Sequence, residues 1–196
     1  MTKQRSARAK GLWVYPKYIG KTLGPWWYDD ASAVEALRGT PGSGTVGKHV
    51  KDLAGDMSPV GKWNGKKPEW ILCIELKHRV EWSWDNFMKD PSNSKISEYW
   101  DQVVSDSITD ENICAVHKWR AYPVLIFTKN YSPDFIMVSG DFENPMPDNC
   151  AHIQAKIDDQ VVFCARYNEF LKYVKPSKIL EITSGLLCKE QQCDGR

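Results

Sequence analysis

Trp70-Ile71-Leu72-Cys73-Ile74-Glu75-Leu76-Lys77-His78 is the stretch whose character changes most sharply along this chain. From Trp70 to Ile74 it is apolar without a break, as a strand buried on both faces should be. Charge then enters at alternate positions. Side chains on a strand alternate faces, so Glu75 and Lys77 emerge on the same side, roughly 6.6 Å apart at about 3.3 Å per residue. An acid and a base leaving an apolar strand together are costly to bury unless something uses them.

The flanking sequence supplies the other elements. Residues 31–38 favour a short helix by propensity, ended by Gly39 and the loop Thr40-Pro41-Gly42-Ser43-Gly44. Residues 51–57 read as a short strand, followed by a Gly-, Pro- and Lys-rich loop through Pro68. Downstream, Ile96, Tyr99, Trp100, Val103 and Val104 have the spacing of one apolar helical face, which places a helix over 96–104. Residues 122–128, 134–139 and 161–164 read as further strands, and 167–174 as a helix stopping before Pro176. The order helix, strand, strand, helix, strand, strand describes a mixed α/β domain with a central sheet.

A chain of 196 residues, 42% hydrophobic and 26% charged, favours one domain with a real core. Its longest apolar runs are far too short to cross a bilayer, and the basic start leads into no apolar signal core. Six cysteines are more than a chain of this size needs as staples, and Cys73 and Cys164 sit in apolar runs, so a reducing cytoplasmic compartment is expected. Cys114 and His117 have a zinc-like spacing that no second pair answers. The net charge of +1 is uninformative, whereas its distribution is not. Residues 1–28 carry Lys3, Arg5, Arg8, Lys10, Lys17 and Lys21, interleaved with aromatic residues, and no acid. Such a stretch suits phosphate neutralisation and base stacking, with Arg5, Arg8 and Lys10 as contacts; it equally suits a solvated tail whose rings pack on the domain. The expected division is an arm over 1–30, a domain over 31–187 and a polar, disordered tail over 188–196.

Carboxylate oxygens are hard ligands suited to Mg²⁺ or Mn²⁺. Asp56, after Gly55 on the preceding strand, is the natural second acid beside Glu75, and the Lys77 ammonium can orient a water or steady negative charge on phosphorus. An isolated Glu-x-Lys is ordinarily a surface pair, so the weight rests on the ordered context. His49, His78, His117 and His152 are scattered, and no nucleophilic triad can be argued from spacing. Trp82 and Trp84 either stack on unpaired bases or, more commonly for such rings, pack in the core.

The series Pro41-Gly42-Ser43-Gly44, Gly55-Asp56 and Ile74-Glu75-Leu76-Lys77 resembles the PD-(D/E)xK nuclease superfamily, and within it the phage-type Holliday junction resolvases. Ser97-Glu98-Tyr99-Trp100-Asp101-Gln102 is similar to their helix with Trp-x-Gln, and Pro123 to Asn130 to their next core strand. The resemblance spans roughly residues 33–140. It departs in carrying Gly-Asp where the superfamily name promises Pro-Asp, and it leaves the first 30 residues and those after about 150 unexplained. It implies a restriction-endonuclease-like core with a central mixed sheet flanked by helices. It also implies Asp56, Glu75 and the Leu76 carbonyl as metal ligands, Lys77 as the catalytic lysine, and Gln102 as a cleft residue. Glu35 matches an additional acid reaching the metal through water, though as a helical glutamate it is simply solvated. Ser43 and Lys129 match phosphate or backbone contacts, though each also serves as plain turn or strand-end chemistry. The implied activity is Mg²⁺- or Mn²⁺-dependent endonucleolytic cleavage of branched DNA by a homodimer in a bacterial or phage-infected cell. The alternatives are a restriction-like, repair or exonuclease activity, an inactive nucleic-acid-binding module, or a plain interaction domain.

Overall fold

The computed structural model describes residues 14–40, 55–60, 70–107, 121–139, 146–147 and 150–181. In chain order it contains helix α1 (Tyr15–Tyr28), strands β1 (Leu37–Gly39), β2 (Met57–Pro59) and β3 (Leu72–His78), helices α2 (Trp84–Lys89) and α3 (Lys95–Ser107), strands β4 (Tyr122–Thr128), β5 (Phe135–Ser139), β6 (His152–Ile157) and β7 (Gln160–Arg166), and helix α4 (Tyr167–Tyr173). A last helical turn covers residues 176–181.

The central sheet has the order β3-β4-β5-β7-β6. β3 and β4 are parallel and in register from Leu72↔Tyr122 to His78↔Thr128, and the remaining pairs are antiparallel. Parallel neighbours need a crossover, and α2 and α3 lie within it. Alternation along the strands divides the interior in two. Leu72, Ile74, Val124, Ile126, Ile136, Val138, Phe163 and Ala165 face a core shared with α1 and α4. Cys73, Leu125, Phe127, Met137, Val162 and Cys164 face Phe87, Ile96, Tyr99, Trp100 and Val103 of α2 and α3. The fold is therefore α/β, a mixed sheet flanked by helices, consistent with a restriction-endonuclease-like core.

Several expectations are corrected. Residues 15–28, expected within an arm, form α1, because Tyr15, Ile19 and Leu23 make a buried stripe at helical spacing beneath the exposed Lys17, Tyr18 and Lys21. Pro16 suits the first turn. Gly24 lets the helix close on the next turn, since a Cβ there would lie 2.2 Å from the Ala33 carbonyl oxygen. Trp26, Trp27 and Tyr28 pack against the core. The helix expected over 31–38 is a single 3-10 turn at Ala33–Glu35 that runs into β1. The packing reading of Trp82 and Trp84, by contrast, is the one found: Trp82 is buried, and Trp84 packs edge-on against Phe87 and Phe135. The tail over 188–196 and the Cys114–His117 pair lie outside the described residues.

The predicted strand over 51–57 is also revised. β2 begins only at Met57 and pairs antiparallel with β1 in a separate two-stranded sheet. Contact with β3 is a single parallel bridge, Gly55↔Ile74. Gly55 holds a φ of +79°, and a Cβ on it would lie 2.5 Å and 2.6 Å from the Ile74 carbonyl oxygen and amide nitrogen. Both the left-handed backbone and the close approach demand glycine. Gly55→Ala is accordingly expected to destabilise the protein by about 1–3 kcal/mol, read as a lower urea midpoint at unchanged m-value.

Candidate active site

Among the described residues β3 has a full partner strand, β4, along one edge only; the other edge carries the Gly55 bridge. Even-numbered residues turn their backbone groups away from β4: the Asp56 amide donates to the Ile74 carbonyl at 2.5 Å, and the Leu76 amide donates to Asp56 Oδ2 at 3.0 Å. Odd-numbered residues face β4, as the Tyr122 amide donating to the Ile71 carbonyl shows. The N–H and C=O of one strand residue project to the same side. The Leu76 carbonyl therefore looks toward the edge that carries Asp56. The side chain of Asp56 is held by the strand it serves.

Glu75 and Lys77 leave the α3 face of β3, as their spacing requires. Glu75 is only 5% exposed. Its Oε1 accepts from Lys77 Nζ and, at 2.9 Å, from Gln102 Nε2. Lys77 Nζ also donates to Gln102 Oε1 at 2.7 Å and sits 5.5 Å from the centre of the Tyr99 ring. Gln102 belongs to α3, off its apolar face, and its amide closes a triangle with the acid and the base. It holds their relative positions from a second element, a role that spacing alone left open.

Burial pushes the Glu75 carboxyl up to about 7, and the charge of Asp56 pushes the same way; Lys77 opposes both, and Asp106 adds to the rise. Two acids that repel each other in a poorly solvated site are stabilised by a cation. The donor set fits a hard divalent ion: the remaining oxygens of Asp56 and Glu75, to which no described residue donates, and the Leu76 carbonyl. Among the described residues no three His, Cys, Asp or Glu side chains are gathered around one point. Among the described residues the carboxylates at this point are the pair Asp56 and Glu75.

Glu35 is not brought to this pair. It is exposed on the 3-10 turn at Ala33–Glu35. Lys129 lies with its ammonium 4.5 Å from the centre of the Trp82 ring, just past the end of β4. Arg5, Arg8, Lys10 and Ser43 lie outside the described residues. His78 faces away from Lys77 and packs edge-on against Tyr15. The residue missed from sequence is Asp106, whose charge reaches both Glu75 and Cys73. It follows Gln102 by four positions on α3, a spacing that puts both on one face. No helix among the described residues is long and apolar enough to cross a membrane.

A family model described as "phage putative PDDEXK endonuclease" matches residues 8–181, which include Asp56, Glu75, Lys77 and Gln102. No curated protein and no solved structure matches the chain.

The raised Glu75 pKa has a signed consequence. The folded protein keeps this proton to about pH 7, whereas an unfolded glutamate loses it near 4.5. Its contribution to stability is whole below pH 4.5 and is lost as pH rises through 7. In chelator, the native protein should lose stability between about pH 5 and 8 by about 1–3 kcal/mol more than Glu75→Gln does. Urea unfolding at each pH measures the difference.

Proposed function

Given that the chain belongs to the phage PDDEXK endonuclease family, we propose that it is a divalent-metal-dependent DNA endonuclease acting on branched or otherwise structured DNA. The observation that carries this reading is the assembly of Asp56, Glu75, Lys77 and Gln102 from three separate stretches of chain, Asp56 held by the Leu76 amide and the other three by hydrogen bonds to one another.

Asp56, Glu75 and the Leu76 carbonyl are the groups that would hold Mg²⁺ or Mn²⁺. When bound, the ion supplies an acidified water and a counter-charge for the phosphate. Lys77 has an ammonium that is already partly dehydrated, sharing its protons with Glu75 and Gln102. Swinging from Glu75 to a phosphate oxygen exchanges one acceptor within the site for another, so little solvation is lost when substrate arrives. Gln102 stays bonded to Glu75 during that exchange and keeps its carboxylate aimed. The Asp56 side chain is fixed by the Leu76 amide and needs no reorganisation.

Branched DNA and a homodimer follow from the likeness to junction resolvases, since paired cuts across a four-way junction need two sites related by symmetry. The basic N-terminal stretch supports nucleic acid as substrate. Tyr15, at the start of α1, donates to Asp134 Oδ1 at 3.1 Å and packs on His78, the residue after Lys77.

Labelled linear, flapped, single-stranded and four-way DNA, incubated with Mg²⁺, Mn²⁺ or chelator, provides the test. Cleavage should require the metal and be fastest on the four-way substrate. Asp56→Ala and Glu75→Ala should each slow it by at least about a hundredfold while DNA affinity stays within a few-fold. Full cleavage by either variant removes the site assignment, and equal rates on linear and four-way DNA remove the branched substrate. Deleting residues 1–12 removes Lys3, Arg5, Arg8 and Lys10. The dependence of log affinity on log salt should then flatten by about 0.9 for each phosphate that is no longer neutralised; an unchanged slope means this stretch touches no DNA.

A further inference from the structure

β4 ends in the turn Lys129-Asn130-Tyr131-Ser132, closed by the Ser132 amide donating to the Lys129 carbonyl at 3.1 Å. Its third position has a φ of 63°. Turns with a left-handed residue there take glycine or asparagine, because a side chain crowds the backbone. Here the residue is tyrosine, and its side chain is completely exposed. An aromatic ring ordinarily gains from packing. This one is held in water, in a backbone conformation that disfavours it, with no ring partner among the described residues.

The turn is braced from below. Thr128 Oγ1 lies within hydrogen-bond distance of the carbonyl oxygens of Lys129, Ser132 and Pro133, at 3.3, 3.2 and 3.3 Å. Trp82 Nε1 donates to the Thr128 carbonyl at 3.3 Å, and Lys129 Nζ lies over the Trp82 ring and reaches its carbonyl at 3.5 Å. The ring of Tyr131 is thus presented from a fixed base.

The location connects this turn with the site above. Lys77 lies opposite Phe127, and Tyr131 follows Phe127 by four residues. At about 3.3 Å per residue along β4 and about 4.8 Å across to β3, the turn lies within about 14 Å of the Lys77 position. Phosphates along one strand of B-form DNA are about 3.4 Å apart along the axis, so this reach is about four nucleotides. Arg79 and Lys129 lie at this end of the sheet with Lys77, alongside the acids Glu81 and Asp134, the latter already accepting a hydrogen bond from Tyr15.

We propose that Tyr131 stacks on an unpaired base of the strand whose phosphate lies at Lys77, so that the preferred substrate has single-stranded nucleotides within a few positions of the cut. This inference rests on the nuclease reading. A base within a continuous duplex keeps both faces covered by its neighbours, whereas a fork, gap or open junction offers a free face. Stacking on an aromatic side chain is indifferent to base identity, which gives selection by structure without sequence.

Fluorescence anisotropy in chelator, with a labelled fork and a fully paired duplex of equal length, tests it on the wild type, Tyr131→Phe and Tyr131→Gly. The wild type should prefer the fork, Tyr131→Phe should keep that preference, and Tyr131→Gly should lose about tenfold of it. Tyr131→Gly should also unfold at higher temperature, since glycine relieves the backbone. Loss of preference together with a gain in stability is a split that a merely structural tyrosine does not produce. An intact preference in Tyr131→Gly, or equal binding of fork and duplex by the wild type, overturns the stacking role while leaving the nuclease reading standing. A wild type that neither binds nor cuts DNA overturns both.

Discussion

One backbone contact on the free edge of β3 organises everything that follows. The strand pairs with β4 on one side, and on the other it meets only Gly55 and Asp56 among the described residues. That contact puts an aspartate main chain on Ile74 and an aspartate carboxylate on Leu76 within three residues of strand. A full neighbouring strand would have consumed the Leu76 amide and carbonyl in its own ladder. Because β2 turns away to pair with β1, the Leu76 amide remains for the Asp56 side chain and, in the proposed reading, its carbonyl remains for a metal ion. The tightness of the approach explains the glycine at position 55, and the glycine explains why a one-residue bridge suffices.

The second constraint is charge. Two carboxylates and an ammonium gather at the end of a strand whose first residues, Leu72 to Ile74, are buried, and their desolvation has to be offset. Lys77 and Gln102 do so for one oxygen of Glu75, leaving the carboxyl still hard to ionise. A site of this kind is costly in stability, and in the proposed reading a small dication would offset that cost, the trade expected where function overrides the preference for an apolar interior. Gln102 contributes by being neutral. It accepts from the lysine and donates to the glutamate at once, which no charged residue does.

Much of this was legible from residues alone. The apolar run into Glu75-Leu76-Lys77 predicted the strand and the shared face of its acid and base, and both are found. The helix over 96–104 and the strand over 122–128 were equally plain, because long stretches of regular period leave few alternatives. α1 was obscured by its own composition: two glycines, Pro25 and a cationic, aromatic exterior hide a stripe of only three buried side chains. β6 was missed because it is an edge strand, half exposed, whose polar residues read as loop. Trp82 and Trp84 went to packing for the ordinary reason that large rings cover the most apolar area per residue.

Local order along the chain therefore determined which residues stand together on the candidate site's strand: charge placed at alternate positions on an apolar strand sets its own direction, since the two-residue repeat is a property of the backbone. It could not determine how those residues meet. Whether Asp56 arrives by a paired strand or a single bridge, which helix residue reaches Glu75, and where the aromatic surface goes are decided by contacts between segments about twenty or more positions apart. Those contacts depend on how the sheet, its flanking helices and the Gly55 approach pack together, and packing is a property only the folded chain possesses.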